Sequence, residues 1–443
     1  MASHPQPGGD PGDVMIACPL VVSDLALELP ALEAAVHAWG LPLRRAALAR
    51  AWPAQAALRP AAPCSRCGGT DLRAAPGKPR PIETLFGPGQ LPRRRVRCAG
   101  CGRHHQPDDA VLAPVLGPGR CTPAVRDLAA RCGASWPYQP AARVVGRVRG
   151  APLSAETLRA VVAQTGQAVA AQHTAEAQAA CQPPATAPDP ARQRPARLVV
   201  ELDGAWVRSH DNALGMEAQA GVIHAGSERI GRTRTRLTTR RYAATFAGVG
   251  DVGPLVTAAV QQRNGSATSE QTLRGDRAAW LWAVGRDTLA EATAVLDRWH
   301  LTDARQRTLR RAVAETEART DWTARLDPCL ERGDVPGALA VLADLAQASA
   351  APAVGAFAAF LAAQAPRLPD SAARRAAGLP VGSGGVEQGV DVVVNRRFKG
   401  KRGMRWGRER AEGVLALRVA ELNDAWTARL APALGLPAHL PAS

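Results

Sequence analysis

The run Arg197-Leu-Val-Val-Glu-Leu-Asp203-Gly-Ala-Trp-Val207 constrains this chain more than any other stretch. Its apolar, strand-forming residues end in an acid followed by glycine, which predicts the first strand of a sheet with Asp203 near its end. Alternate strand residues share a face, so Glu201 is a rival acid beside it. Two later acids stand in comparable settings. Leu273-Arg-Gly-Asp276-Arg-Ala-Ala-Trp280 puts an acid in a turn at a strand end. The glycine-rich segment from Gly378 to Glu387 puts another in the first turn of a helix, with Asp391 four residues on along the same face. Any one of these carboxylates also reads as a surface or capping group. Together, two acids at strand ends and one on a helix suit a pair of Mg2+ or Mn2+ ions, which take hard oxygen ligands.

Nine cysteines include two tight pairs, Cys64-Ser-Arg-Cys67-Gly and Cys98-Ala-Gly-Cys101-Gly. A two-residue gap lets adjacent thiolates grip one tetrahedral ion, and the following glycine suits a tight knuckle. The loop of about thirty residues between the pairs suits a zinc ribbon. Four thiolates close the coordination shell, so one structural Zn2+ is expected, with His104 and His105 as spare or phosphate-facing residues. Beside it, Pro92-Arg-Arg94-Arg95-Val-Arg97 forms a basic arm in which Arg94 and Arg95 are candidate phosphate contacts.

Lys and Arg exceed Asp and Glu by 55 to 39, a net charge of +16 that points to a polyanionic partner such as nucleic acid. No apolar run reaches membrane-spanning length, and the polar N-terminus does not read as a secretory signal, so no membrane partner and a cytoplasmic location are expected.

The order of segments predicts an N-terminal helical region over 1–63 and the zinc ribbon over 64–106. A helical, helix-turn-helix-like DNA-binding region follows over 107–181. In it Thr122 and Pro123 start one helix, and Ser154 with Thr157 starts another that could enter a groove. A Pro- and Ala-rich linker follows over 182–196. The chemical half then runs over 197–287, with three strands in an antiparallel meander and a basic loop at 229–241 that includes Arg236. Residues 288–376 read as an almost entirely helical insertion. Residues 377–443 carry the Glu387 helix, the basic segment Arg396, Arg397, Lys399, Lys401, Arg402, Arg405 and Trp406, and one closing amphipathic helix over 410–430. The basic residues are candidates for phosphate neutralisation, and Trp406 for stacking on a base or for packing.

Leu-Asp203-Gly-Ala-Trp, Gly-Asp276-x-Ala-x-Trp280, Asp297-x-x-His300, Gly-Ser-Gly-x-Val-Glu387 and Gly-Met-Arg-Trp406, taken in that order behind the ribbon and a helical segment, resemble the DDE transposases of ISKra-type bacterial insertion sequences. The resemblance runs from about Cys64 onward and is most specific near Glu387. It implies an α/β, ribonuclease-H-like mixed sheet with a helical insertion before the last acid. It implies that Asp203, Asp276 and Glu387 hold two Mg2+ (or Mn2+) ions, and that Asp297 and His300 form an accessory motif near the active site. The implied partners are double-stranded DNA, as element ends and target on the bacterial nucleoid, and a second copy of the chain or more. The chain departs from the pattern at Arg277 and Ala279, and at Gln388-Gly389, where glycine is expected to weaken the helix by up to about 1 kcal/mol. A non-catalytic DNA-binding derivative and a structure-selective nuclease are the alternative readings.

Overall fold

The computed structural model describes residues 29–435 except 60, 117–118, 183–194, 233–234, 264–267, 269, 380, 382–383 and 401–402; the side chains of 30, 31, 229, 235, 384, 386 and 387 also lie outside the description. Most of the expected linker, as well as Lys401 and Arg402, therefore falls outside the described residues. The chain divides into two compact units, 1–169 with 426–443, and 170–425.

The first unit opens with α1 (Leu29–Ala57), which carries Pro42 and Pro53 within it. The ribbon follows: β1 (Leu72–Ala75), β2 (Arg80–Thr84), β3 (Gly87–Leu91), β4 (Arg95–Cys98) and β5 (His104–His105). β1, β4 and β5 form one antiparallel sheet, while β2 and β3 form a separate hairpin inside the long loop between the cysteine pairs. A small core of Ile82, Leu91, Leu112 and Leu116 takes Leu48 and Trp52 from α1 against it. Then come α2 (Asp109–Leu116), α3 (Pro123–Ser135), α4 (Tyr138–Arg149) and α5 (Ala155–Ala180), whose last residues belong to the second unit. Pro123 starts α3 as expected, but the Thr122 side chain makes no capping hydrogen bond. Ser154 does cap α5, its Oγ accepting from the Thr157 amide at 2.9 Å. The break between α4 and α5 falls on Gly150 at φ +62°, where an added Cβ would meet Leu41 Cδ1 at 2.1 Å. Fully buried Arg149 donates to the Thr84 carbonyl and pairs with Glu83, so the helices and the hairpin share an ion pair.

The second unit is built on a mixed five-stranded sheet. Its strands are β6 (Arg197–Val207), β7 (Met216–His224), β10 (Arg241–Thr245), β11 (Glu270–Gly275) and β12 (Thr293–Leu296), in the order β10-β7-β6-β11-β12. β10, β7 and β6 are antiparallel neighbours; β6, β11 and β12 are parallel. The basic stretch expected as a loop is instead a hairpin, β8 (Gly226–Arg229) against β9 (Thr235–Thr238). β12 lies inside the stretch expected to be almost entirely helical. Four residues show no period, and the strand exists because β11 pairs with it, which no local pattern announces.

Even-numbered residues of β6 (Leu198, Val200, Leu202) enter a large core with α6 (Val249–Gln261) and α7 (Ala279–Thr288). The same core continues into the helices α8 (Arg298–Ala312), α9 (Thr316–Arg332), α10 (Val335–Ala348) and α11 (Pro352–Gln364). After α12 (Ser371–Ala376), the helix α13 (Gly384–Val390) passes through a π turn at Asp391–Asn395 into α14 (Arg396–Phe398). The expected closing helix is two: α15 (Arg408–Leu422), then a break with Asp424 at φ +53°, then α16 (Trp426–Ala433) in the first unit.

Candidate functional site

Parallel pairing fixes where the acids fall. Leu202 lies opposite Gly275, and Gly275 lies opposite Leu296, so Asp203, Asp276 and Asp297 each come one residue later on three adjacent strands. That register brings residues 73 and 94 positions from Asp203 to its level of the sheet, where β11 and β12 stop; β6 itself runs on to Val207 against β7, so Asp203 lies within its strand and not near its end as expected. The local geometry is set by backbone amides. Asp203 Oδ1 accepts from the Gly204 amide at 2.8 Å, and Asp276 Oδ1 accepts from the Ala278 amide at 2.7 Å. Asp297 caps α8 by accepting from the Trp299 amide at 3.1 Å, while its other oxygen lies 2.7 Å from His300 Nδ1.

His300 reports the electrostatics of this edge. The hydrogen bond to Asp297 raises its pKa above the ordinary value; burial opposes this, and the charges of Asp297, Asp276 and Asp203 add to the rise. Three carboxylates thus act on one half-buried ring. The raised value means that folding and protonation favour each other: His300 contributes stability in full below about pH 6.5, and the contribution fades as pH rises through the folded value. An NMR titration of the His300 ring is expected to show a midpoint above 6.5 that moves down in Asp297→Asn; an unmoved midpoint would refute the assignment.

Glu201 shares the face of Asp203 but does different work. It is buried, with Oε1 2.5 Å from Arg274 Nη1 on β11 and 3.5 Å from His224 Nε2 on β7. Its charge is met inside the sheet by Arg274, whereas Asp203 is only partly buried. Asp391, the other rival, pairs with Arg396 at 2.9 Å.

Glu387 lies in α13, and its side chain falls outside the described residues. The backbone of that helix lies on β6 and β7, on the face that carries Glu201. Two glycines permit the approach. A Cβ on Gly385 would meet Glu201 Oε2 at 2.4 Å, and one on Gly389 would meet Val222 Cγ2 at 2.2 Å. Gly389 therefore serves tight helix-on-sheet packing, which corrects its reading as a mere weakening of the helix. Gly389→Ala is expected to lower stability by about 1–3 kcal/mol although alanine is the better helix former, measured by chemical denaturation.

Arg418 is a residue that sequence reasoning missed. From α15 it donates to the carbonyls of Val393 (2.9 Å) and Val392, at the π turn where the α-helical ladder is broken. Burial, with the nearby Arg397 and Arg396 charges, lowers its pKa to about 10. Glu412 on the same helix accepts from the Phe246 amide at 2.5 Å and the Thr245 hydroxyl at 3.0 Å. Nothing in the pattern of α15 distinguishes these two charged residues from solvated ones; only the packed neighbours do.

Several of the candidate DNA contacts are engaged within the chain. Arg94 donates to Asp108 at 2.9 and 2.7 Å and to the Arg59 carbonyl, so it braces the ribbon. Trp406 is only 5% exposed and packs on Phe398 and Arg397, with its indole N–H toward the Phe398 carbonyl; it offers no face to a base. Arg397 is 2% exposed in the same cluster. These residues are core because Ser209 bridges Trp406 and draws the segment in, a pairing across some two hundred residues. Arg236 pairs with Glu228 across the β8–β9 hairpin. Arg95 lies beside the Pro76 carbonyl at 3.4 Å, Ser154 and Thr157 bond to each other at the start of α5, and Arg396, Lys399 and Arg405 are exposed.

In the first unit, the sulfur atoms of Cys64, Cys67, Cys98 and Cys101 lie within 4.8 Å of one another, with 3.6 Å between Cys64 and Cys101 and 3.5 Å between Cys67 and Cys98. A tetrahedral zinc with bonds of about 2.3 Å sets sulfurs about 3.8 Å apart. The group could hold a structural zinc ion. Each knuckle closes alike: the Gly68 amide donates to the Cys64 carbonyl at 2.8 Å and Gly102 to Cys98 at 2.9 Å, with both glycines at φ +72°. The four crowded sulfurs share charge unequally: the amides of Arg66 and Cys67 lower the Cys64 thiol, while the sulfurs of Cys98 and Cys101 push Cys67 up.

No protein-family model matches the chain, and no curated protein matches it. Among the described residues, no helix is long and apolar enough to cross a membrane.

Proposed function

We propose that the chain is a DDE transposase that cuts DNA and transfers the freed strand, with a ribonuclease-H-like core in its second unit. One observation carries the reading: Asp203, Asp276 and Asp297 fall at one register level of three neighbouring parallel strands, each one residue past the aligned Leu202, Gly275 and Leu296, and all three carboxylates favour protonation of the His300 that Asp297 holds. A three-strand meander followed by two parallel strands, with a helical segment before the Glu387 helix, supports the same fold.

The fit to a hard cation rests on the chemistry of the donors: Asp203, Asp276 and Glu387 offer oxygen ligands, while among the described residues the group whose ligand atoms already lie within 4.8 Å of one another is the cysteine cluster. Asp203 and Asp276 would hold the ions, with Glu387 from α13 as the third ligand. When bound, a pair of Mg2+ or Mn2+ ions supplies activation of the attacking oxygen and stabilisation of the leaving oxygen. The protein's own part is positioning. The Gly204 and Ala278 amides fix the two aspartates, and Asp297 orients His300 and stabilises its protonated form, whose charge can meet a phosphate oxygen. Arg396, Lys399 and Arg405 neutralise neighbouring phosphates, and one Zn2+ holds the ribbon. Two DNA ends need two active sites, so a dimer or larger assembly on DNA is part of the proposal.

An oligonucleotide with a free 3′ hydroxyl, incubated with supercoiled plasmid and Mg2+, tests it. Joined product is the expected result. Nicking without joining would favour the nuclease reading, and binding without either would favour the non-catalytic one.

A further inference from the structure

A cleft of about 190 Å³ opens beside the carboxylate edge, and its floor and rim differ in kind. The floor is Ala304, Thr308, Ala353, Ala356 and Phe357, from α8 and α11; the rim is Arg277, Arg307 and Arg311. Arg277 directly follows Asp276, at the position where the chain departs from the family it resembles. Arg307 is partly neutralised by Asp303 at 2.8 Å. Among the described residues, Arg277 and Arg311 have no carboxylate partner, and both are exposed.

The spacing along α8 gives the cleft a direction. His300, Ala304, Arg307 and Arg311 follow one another at intervals of four, three and four, which places them on one helical face. Counted from His300, which Asp297 holds, that face runs about 16 Å along α8 to Arg311. The distance covers about five successive phosphates of one strand of a duplex, at about 3.4 Å of axis each. Exposed guanidinium groups over a mostly apolar floor suit a phosphate chain, because the fork donates to phosphate oxygens while the floor's one hydroxyl, on Thr308, is committed to the Ala304 carbonyl.

Resting on the proposed nucleic-acid chemistry, we infer that this cleft is a DNA-backbone track: Arg277 and Arg311, with Arg307 between them, hold the phosphates of the strand that leaves the carboxylate edge along α8.

The test is the salt dependence of binding, by fluorescence anisotropy, of the full chain to a mixed-sequence 40-base-pair duplex in Ca2+. Each lost phosphate contact lowers the slope of log affinity against log salt by about 0.9. Arg277→Gln with Arg311→Gln is expected to lower it by about 1–2. Arg325→Gln, an exposed arginine paired with Asp344 on the far helices, is expected to leave it unchanged. Matched circular dichroism of the variants checks the fold. Binding with the same slope in the double variant and the wild type overturns the track while the transposase reading stands. No salt-dependent binding by the wild type overturns both.

Discussion

Asp203→Asn is expected to lower Mg2+-dependent cleavage and joining by about a thousandfold while leaving the fold intact. A metal ligand secures several kcal/mol of charge stabilisation, and about 4 kcal/mol corresponds to three orders of magnitude in rate. Asparagine keeps the Oδ1 that accepts from the Gly204 amide, so β6 keeps its local geometry there. The informative contrast is Glu201, two residues earlier on the same face. Glu201→Gln leaves Arg274 buried without its counter-charge, which costs about 3–5 kcal/mol. Asp203→Asn should therefore lose turnover at unchanged melting temperature, and Glu201→Gln should lose melting temperature first. Gel assays of oligonucleotide cleavage beside thermal melts separate the two. Wild-type turnover in Asp203→Asn would end the catalytic assignment.

Removing zinc is the second large effect. The first unit has a small core around the ribbon, four buried side chains with Leu48 and Trp52 against them. A core of that size supplies only a few kcal/mol, whereas binding at a four-thiolate site is worth about 10–16 kcal/mol near neutral pH. Chelation, or Cys98→Ser at a sulfur that is almost wholly buried, is expected to unfold the region around residues 64–116. The protein as purified should carry one zinc per chain by elemental analysis, and limited proteolysis after chelation should cut within that region. A metal-free protein that resists proteolysis there would show that the cysteines pack without an ion. Arg94 joins this ledger on the structural side, because Asp108 and the Arg59 carbonyl already occupy its donors.

How far the site was legible in the residues follows from the range of the forces involved. The β6 strand and its acid announce themselves because a strand buried on both faces needs a run of apolar residues, and that run is local. The cysteine knuckles are equally local: two residues and a glycine set the geometry of a sulfur pair. Arg236, Arg397 and Trp406 look alike in sequence, as residues of a basic or aromatic surface. Their fates differ because one meets Glu228 across a hairpin and the others are drawn under Ser209 and Phe398.

What the chain determined by itself was the identity of its chemistry: four thiols in two knuckles, an apolar strand that carries Asp203, an acid after a glycine turn, and a strong positive charge. What only the tertiary structure decided was which of these groups meet. β12 becomes a strand because β11 lies beside it, and only then does Asp297 stand next to Asp276. Gly385 and Gly389 are needed because a helix lies on Glu201 and Val222. The reason is common to all of these: hydrogen-bond register and close packing act between residues distant along the chain, where the sequence carries no local mark of its partner.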